Sequence, residues 1–207
     1  MPALPRRRIL IASAAAVAAP AWLTPALAQS RALLPTPSQT EGPFYPVSLP
    51  ADSDADLLRN GQVVYDKGQA SWVEGTVTDL AGVPVAGAVV EIWQCDHQGR
   101  YHHPGDGDRA DPAFQGFGRV TLGRDGAYRF RTLKPVPYTG RTPHIHVKVR
   151  LDRRELLTTQ LYVEGDPGNE RDGLWRRLNA DARAAVTVPF TPVGDGLRAR
   201  FPIVVVT

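Results

Sequence analysis

The sequence predicts an all-β protein, an antiparallel β-sandwich with a Pro-rich N-terminal arm and one short helix. From Trp72 onward, short runs rich in β-branched and aromatic residues alternate partly between apolar and polar side chains. Turn-forming residues separate these runs, and the 207 residues include 19 Gly and 19 Pro. Several short strands joined by turns are typical of a sandwich of two sheets.

The first 28 residues are predicted to be a signal peptide of the twin-arginine type. Arg6–Arg8 precede an apolar, alanine-rich run, and Ala26–Ala28 forms a small-x-small cleavage site. Pro20 and Pro25 interrupt the short apolar run, which disfavours a stable membrane anchor, although a retained anchor is the alternative. We therefore expect a periplasmic or secreted protein.

Charge gives no sign of a polyanionic partner. Three of the 24 basic residues and none of the 21 acidic residues lie in residues 1–28, so the remaining chain carries equal numbers of both. We therefore expect no basic surface for binding nucleic acid and no affinity for an anionic membrane. The single cysteine, Cys95, excludes an internal disulfide and is expected to be a small buried residue.

The elements follow from this pattern in chain order. Residues 29–70 are polar and Pro-rich, and we expect an extended arm; residues 71–207 form the predicted catalytic β-sandwich domain. A short helix is expected around residues 173–185. The predicted strands are WVEGTVTD, GAVVEIWQ, GRVTLG, GAYRFRT, HIHVKVRL, LLTTQLYV and, last in the chain, ARFPIVVV.

Two histidines share one face of a predicted strand. Residues i and i+2 of a strand lie about 6.5–7 Å apart on the same side, so His144 and His146 can converge on one metal ion. The opposite face, with Ile145 and Val147, is expected to pack on the core. The histidine face continues with Lys148, however, and a solvated strand face is the alternative.

The two histidines need further ligands to complete a metal site. One alternative adds His103 or a carboxylate from Asp96, Asp106 or Asp108, although none of these has a diagnostic spacing. The other alternative is tyrosine, because a trivalent metal can bind phenolate oxygen. Tyr138 precedes His144 by six residues, and Tyr101 follows the strand that ends in EIWQ.

Several ordered motifs carry a family resemblance. GRYHH (99–103), KPVPY (134–138) and RTPHIH (141–146) in this order resemble the intradiol ring-cleavage dioxygenases, above all the protocatechuate 3,4-dioxygenase subunits. The likeness extends from TPSQTEGPFYP through WQCDHQGRY, FRTLKPVPY and TQLYVEGDP to RFPIVVV. It implies an enzyme that opens the ring of a small aromatic diol with O2, to give a cis,cis-muconate.

The resemblance also implies the metal and its ligands. A non-haem Fe(III) is expected on Tyr101, Tyr138, His144 and His146, with Tyr138 and His146 as the axial pair. Two anionic phenolates favour the ferric state. Tyr138 is also expected to leave the iron and take up a substrate proton. Arg141 is expected to stabilise negative charge on the bound ring.

The resemblance implies a substrate pocket as well. Gln160 matches a glutamine that lines the pocket behind the metal. Thr40, Gly42 and Pro43 resemble an arm that, in the two-subunit enzymes, belongs to the subunit without iron. One chain would here supply both arm and ligands. Trp93 is expected to be a core aromatic residue.

Two departures from the family leave the substrate open. The helical N-terminal dimerisation domain of catechol 1,2-dioxygenases has no counterpart in the sequence. The connection from Tyr138 to Arg141 is much shorter than in the family, which predicts a more open pocket. A homo-oligomer is compatible with the sequence, and nothing in the sequence decides it.

Two other function classes are alternatives. DLAGVPVAGAVVEIW and GAYRFRTLKPVPY also resemble prealbumin-type adhesive or carbohydrate-binding domains, which predicts a secreted, non-catalytic binding module. The sandwich is in either case expected to be prealbumin-like or immunoglobulin-like. The other alternative is a metal enzyme of another class, with the histidine pair and a carboxylate as ligands. Neither alternative gives a reason for Tyr101 and Tyr138 to lie beside the histidines.

Overall fold

The structure is a computed structural model that describes residues 33–207, so the predicted signal peptide lies outside the described residues. Strands dominate this part of the chain, as predicted. The elements are β1 Arg59–Asn60, β2 Val63–Val64, β3 Ala70–Thr78, β4 Val89–Trp93, β5 Phe117–Thr121, β6 Ala127–Leu133, β7 His144–Leu151, β8 Arg154–Val163, α1 Ala180–Val186, β9 Thr187–Val188, β10 Thr191–Val193, β11 Gly196–Arg200 and β12 Ile203–Val204, with 3₁₀ helices at Pro104–Asp106, Asn169–Arg171 and Trp175–Arg177.

The strands form two five-stranded sheets and a small hairpin of β1 and β2. In the first sheet β3 pairs with β6, β11 and β12, and β10 lies at the edge beside β11. In the second sheet the order is β5-β4-β7-β8-β9, which places β7 at the centre. Because β7 lies between β4 and β8, side chains of all three strands meet on one face.

The prediction of antiparallel sheets is wrong at three pairs. β11 and β12 run parallel to β3, and β9 runs parallel to β8. The predicted last strand is also two strands, because Pro202 separates β11 from β12. No hairpin joins these partners, since long stretches of chain lie between them, and pairing in the same direction is therefore available.

The main hydrophobic core draws side chains from both large sheets. Ile145, Val147 and Val149 of β7 are buried, as predicted for this face. They belong to the same buried cluster as Val73 of β3 and Phe130 of β6. The apolar side of β7 is therefore fixed against the core, and its other side is left for the histidines.

The helix is shorter than predicted. Residues 173–185 were expected to be helical, but α1 begins only at Ala180, and a 3₁₀ turn at Trp175–Arg177 precedes it. Asn179 has extended backbone angles, and its side chain accepts a hydrogen bond from the backbone N–H of Ala182. This N-cap sets the start of α1. No helix within residues 33–207 is long and apolar enough to span a membrane.

The N-terminal arm crosses from one large sheet to the other. Thr36 N–H donates to the Val204 carbonyl at 2.9 Å, and Gln39 N–H donates to the Thr158 carbonyl at 2.8 Å. Further on, Glu41 forms an ion pair with Lys148 of β7. We call residues 36–46 the arm segment. It covers the face of β7 on which the two histidines lie.

Candidate metal centre

β7 begins with the two histidines and buries both. His144 and His146 are each 1% exposed, and their Nε2 atoms lie 3.2 Å apart. The predicted shared face is therefore confirmed. The solvated-face alternative is wrong, because Lys148 on the same face is only 3% exposed beneath the arm segment.

The tautomer of His144 follows from its hydrogen bond. Its Nδ1 lies 2.7 Å from the Thr142 carbonyl oxygen. A carbonyl oxygen only accepts, so Nδ1 carries the proton and Nε2 presents a lone pair toward His146. Burial and the nearby Arg141 charge lower the pKa of His144 to about 4, which keeps the ring neutral. A neutral imidazole with a free Nε2 is the form that binds metals.

Tyr101 is fixed by the turn that follows β4. Its backbone N–H donates to Asp106 Oδ2 at 2.8 Å, and its ring stacks on Phe44 at 4.6 Å between centroids. The side chain is buried, and its hydroxyl has no hydrogen-bond partner among residues 33–207. An unpartnered buried hydroxyl costs about 1–3 kcal/mol, so this oxygen requires a ligand or another explanation.

Tyr138 lies on a tight turn. The Arg141 N–H donates to the Tyr138 carbonyl at 2.8 Å, and Gly140 has a φ of +76°. A positive φ at the third position is typical of a type II turn and favours glycine there. The Tyr138 ring lies 5.3 Å from the Tyr101 ring and 5.4 Å from the His144 ring. The structure therefore brings all four predicted ligands together.

Neither phenol ionises readily by itself in this cluster. Burial, together with Cys95 and Tyr138, raises the pKa of Tyr101 well above its usual value. Burial also raises the pKa of Tyr138, although the Arg141 charge opposes that rise. Burial and the neighbouring His144 lower the pKa of His146. The pKa shifts of all four side chains thus favour their neutral forms, and a bound cation is what would stabilise phenolate here.

The donor set fits a trivalent metal. The two imidazole Nε2 atoms lie 3.2 Å apart, and the buried side-chain atoms without a partner in the described residues include Tyr101 Oη. A cation would take up the His144 Nε2 lone pair and the phenol oxygen, and would replace two phenolic protons. The residues present therefore fit Fe(III) held by two tyrosinates and two histidines.

Arg141 and Gln160 form a polar network beside this cluster. Arg141 Nη2 donates to Gln160 Oε1 at 2.5 Å, and Arg141 Nη1 lies 3.5 Å from Tyr138 Oη. Gln160 Nε2 donates to the Thr40 carbonyl at 3.0 Å. Gln160 is paired with His146 across β7 and β8. The predicted arginine and glutamine therefore lie beside the tyrosine and contact the arm.

His146 lies between a tryptophan and a glycine. The Trp93 ring stacks on the imidazole at 4.8 Å with an angle of 8°, so the predicted core aromatic also contacts a ligand. On the arm segment, a Cβ at Gly42 would lie 3.3 Å from His146 Cε1. Of the other predicted arm residues, Thr40 contributes its carbonyl, and Pro43 is exposed.

Sequence reasoning missed three contributors to the site. Asp172 binds Arg141, Phe44 stacks on Tyr101, and Lys148 binds the arm through Glu41. Phe44 lies within the TPSQTEGPFYP motif, which could have indicated it. Lys148 lies on the histidine face of β7, which was the available signal there. Asp172 comes from a loop 31 residues beyond Arg141 and has no sequence signal.

The alternative of a carboxylate ligand finds no support in the described part of the chain. Within residues 33–207, no group of three His, Cys, Asp or Glu side chains is placed to hold a metal ion. Two of the three carboxylates considered are bound elsewhere: Asp96 accepts backbone N–H groups from Gln98 and Arg100, and Asp106 accepts from Tyr101. Burial raises the pKa of Cys95 to about 12, which keeps that thiol protonated.

Tyr138 is the least buried of the four proposed ligands, and clefts border it on two sides. A cleft of about 560 Å³ is lined by residues including Phe44, Arg100 and Tyr138. A second, of about 340 Å³, is lined by residues including Tyr138, Arg141 and Arg171. Both clefts therefore reach the cluster at the Tyr138 side chain.

Comparison with known proteins assigns the family. A family model described as "Dioxygenase" matches residues 40–174, which include all four proposed ligands. The chain belongs to the intradiol ring-cleavage dioxygenases. It is 33% identical over 192 residues to a hydroxyquinol 1,2-dioxygenase from Corynebacterium glutamicum, across 79% of this chain and 61% of that enzyme. It spans 49% and 58% of two further hydroxyquinol 1,2-dioxygenases.

Two other dioxygenase relatives are matched over most of their length. The protocatechuate 3,4-dioxygenase beta chain of Burkholderia cepacia is 32% identical over 196 residues, across 84% of this chain and 82% of the relative. Among solved structures, the dioxygenase domain of a dioxygenase–carbohydrate-binding protein fusion from Streptomyces sp. SirexAA-E superposes with a TM-score of 0.67 at 32% identity. That match covers 84% of this chain and 99% of that domain.

Proposed function

We propose that this protein is an exported non-haem Fe(III) intradiol dioxygenase. Its substrate class is a catechol-type aromatic diol, cleaved between the two hydroxyl carbons to a cis,cis-muconate-type product. One observation carries the proposal: two tyrosines and two histidines converge in one buried cluster, with the Tyr101 hydroxyl left without a partner. The relatives named as hydroxyquinol and catechol 1,2-dioxygenases support it.

Tyr101, Tyr138, His144 and His146 would hold the iron. When bound, Fe(III) supplies a Lewis-acidic centre that takes the diol as its dianion and makes the electron-rich ring available to O2. The reaction balances without another reactant, because both oxygen atoms of O2 enter the product. The two protons lost by the diol when it binds return in the muconic acid.

The chain's own residues would manage charge and protons around the diol. Tyr138 is the least buried ligand, and its Oη can accept one of the two hydroxyl protons. Arg141 Nη1 lies beside that oxygen and supplies a permanent positive charge. Gln160, held by Arg141 and by the arm, closes the side of the pocket behind His146.

Colour and turnover test the proposal together. We expect the purified, iron-loaded protein to be red-brown, because tyrosinate-to-Fe(III) charge transfer absorbs visible light. With catechol, protocatechuate, hydroxyquinol and substituted catechols, we expect at least one to consume one O2 per diol and give a muconate-type ultraviolet absorption. A colourless protein that holds one iron per chain would rule out tyrosinate ligation.

A pair of tyrosine variants sharpens this test. Tyr138→Phe is expected to lose part of the visible band and at least about tenfold in kcat, which corresponds to about 1.4 kcal/mol. Tyr128→Phe is the control, because Tyr128 is a buried tyrosine of the other large sheet that donates to the Phe201 carbonyl. Equal visible spectra and rates in the two variants would contradict the ligand role of Tyr138.

Two parts of the proposal, export and the type of sandwich, are supported by the sequence alone. Export rests on the leader, residues 1–28. The prealbumin-like or immunoglobulin-like sandwich remains a prediction for the arrangement of the two sheets. A non-catalytic binding module would have no use for the buried, unpartnered hydroxyl of Tyr101, and we therefore favour the enzyme.

A further inference from the structure

A buried carboxylate lies behind the polar network of the site. Asp172 sits in the loop between the 3₁₀ helices Asn169–Arg171 and Trp175–Arg177, and its side chain is 0% exposed. Its Oδ1 accepts the backbone N–H groups of Leu174 and Trp175 at 2.9 and 3.0 Å. Its Oδ2 accepts from Arg141 Nε at 2.8 Å and from the Thr142 N–H at 3.0 Å.

These four hydrogen bonds give Asp172 a fixed position. Three of them come from backbone N–H groups, which the loop and the start of β7 hold in place. The carboxylate is therefore already oriented before Arg141 binds it. The charge-assisted bond to Nε then fixes the plane of the guanidinium, which a flexible arginine side chain does not fix by itself.

The three nitrogens of Arg141 have three different partners. Nε donates to Asp172, Nη2 donates to Gln160 Oε1 at 2.5 Å, and Nη1 lies 3.5 Å from Tyr138 Oη. Rotation of the guanidinium about its long axis would break all three contacts at once. Asp172 makes no hydrogen bond to Tyr138 or Gln160, so it can orient these two side chains only through Arg141.

We propose that Asp172 is a positioning residue for the reaction: it holds the Arg141 guanidinium so that Nη1 faces the Tyr138 oxygen and Nη2 orients the Gln160 amide. The proposal rests on the proposed function, and it names a residue that does not touch the substrate. The orientation of the Gln160 amide in turn affects the arm segment, because its nitrogen donates to the Thr40 carbonyl.

The first test uses the metal-free protein and no substrate. The Arg141 Nε–H resonance in ¹⁵N NMR, assigned by its loss in Arg141→Met, is expected to exchange slowly with solvent. In Asp172→Asn we expect exchange at least about tenfold faster, because the charged acceptor is gone. Asp166→Asn is the matched control, since Asp166 precedes the 3₁₀ helix Asn169–Arg171 and makes no hydrogen bond to Arg141. Its Oδ1 instead accepts the Gly168 N–H at 2.7 Å and lies 3.4 Å from Thr142 Oγ1.

The second test is a double-mutant cycle in the iron-loaded enzyme. Asp172→Asn is expected to lower kcat about tenfold with less than threefold change in KM, because Asp172 does not touch the diol and acts only on the orientation of Arg141. Arg141→Met should lower kcat further. If Asp172 acts through Arg141, the double variant is no slower than Arg141→Met alone.

Three results would overturn the inference. These are unchanged Nε–H exchange in Asp172→Asn, additive losses of kcat in the cycle, or wild-type kcat in Asp172→Asn. If Asp172→Asn does not fold, Arg141→Lys serves as the second variant. It keeps the positive charge but lacks the guanidinium that has three separate contacts. We expect it to lose nearly as much kcat as Arg141→Met. Absent turnover with every diol would overturn the proposed function, while the NMR result would still test the positioning by Asp172.

Discussion

Each proposed ligand is held by a different local contact. His144 is fixed by the Thr142 carbonyl, and His146 by the stacked ring of Trp93. Tyr101 is fixed through its backbone and the ring of Phe44, and Tyr138 by its turn. All of these contacts are made by the chain's own residues, and they would orient the four side chains for the proposed iron.

Position 42, near the site, requires glycine for two reasons. Its φ is +77°, and an added Cβ would lie 3.3 Å from His146 Cε1. Gly42→Ala is expected to lower the free energy of unfolding by about 1–2 kcal/mol through its left-handed backbone. It should also lower iron content per chain, because the Cβ crowds a ligand. Thermal unfolding and iron analysis measure the two effects.

Gly87→Ala is the matched control for that change. Gly87 has the same φ of +77°, but a Cβ there would meet no atom within 4 Å. We expect a similar loss of stability and full iron content. If both variants bind iron equally, Gly42 is needed only for its backbone conformation and not for its closeness to His146.

The proposed ligands were easier to predict from the sequence than the residues that hold them in position. The alternation of HIHVKVRL was sufficient to place His144 and His146 on one face, because a strand has a fixed period of two. The choice of Tyr101 and Tyr138 came from family motifs. Asp172 was not predictable, because its contact with Arg141 depends on how a loop 31 residues away folds back over β7.

Among the elements, β7 and the arm segment together make the site. β7 supplies both histidines, and its next outward residue, Lys148, pairs with Glu41 of the arm and Glu155 of β8. The Lys148 ammonium also lies 4.4 Å from the centre of the Tyr45 ring. This buried cation connects the arm segment to the sheet two residues from His146.

Removing that cation should loosen the arm segment. In Lys148→Met we expect the Gln39 amide, which donates to the Thr158 carbonyl, to exchange its hydrogen at least about tenfold faster. The remaining carboxylates of Glu41 and Glu155 are 43% and 47% exposed, so water can solvate them. Hydrogen exchange followed by mass spectrometry or NMR measures this change.

Lys67→Met is the control for the loss of an ion pair. Lys67 pairs with Asp111 at the surface, with a side chain 53% exposed, and such pairs contribute little. We expect Gln39 to exchange as in the wild type. Equal protection of Gln39 in Lys148→Met would show that backbone hydrogen bonds alone hold the arm.

The element predictions were most accurate where periodicity was strong. The run HIHVKVRL is β7 residue for residue, and β3, β4 and β6 agree within two residues at each end. The errors fall at short elements near the C-terminus, where α1, β9, β11 and β12 are decided by caps and by partners distant in sequence. Local patterns carry little information about such pairings, and the direction of β11 and β12 was therefore wrong.

At the scale of the whole molecule, one chain supplies both the ligands and the covering arm. The arm segment contacts β12, β8 and β7 in turn, and so connects both large sheets across the site. The arm and its sheets therefore fold as one structure. This arrangement suits a protein moved across a membrane already folded, the route that a twin-arginine leader predicts.

The leader can be tested on the full chain. Replacing Arg6, Arg7 and Arg8 with lysine keeps the charge but removes the arginine pair, and we expect the protein to stay in the cytoplasm with its leader intact. Arg153→Lys, an exposed change in the turn between β7 and β8, is the control and should be exported. Cell fractionation and intact mass measure both, and equal export of both variants would contradict the twin-arginine route.

The tight turn from Tyr138 to Arg141 links a ligand and the charged side chain beside it through only two intervening residues. A Cβ at Gly140, within this turn, would meet no atom within 4 Å, so the tip stands free of the core. Surface turns of this kind tolerate added residues far better than packed strands do. Residues inserted at Gly140 would lengthen the turn so that it covers the proposed diol pocket, and both sheets would stay unchanged. Under the proposed function, insertion at Gly140 is therefore expected to change the selectivity for the diol more than the packing of the core.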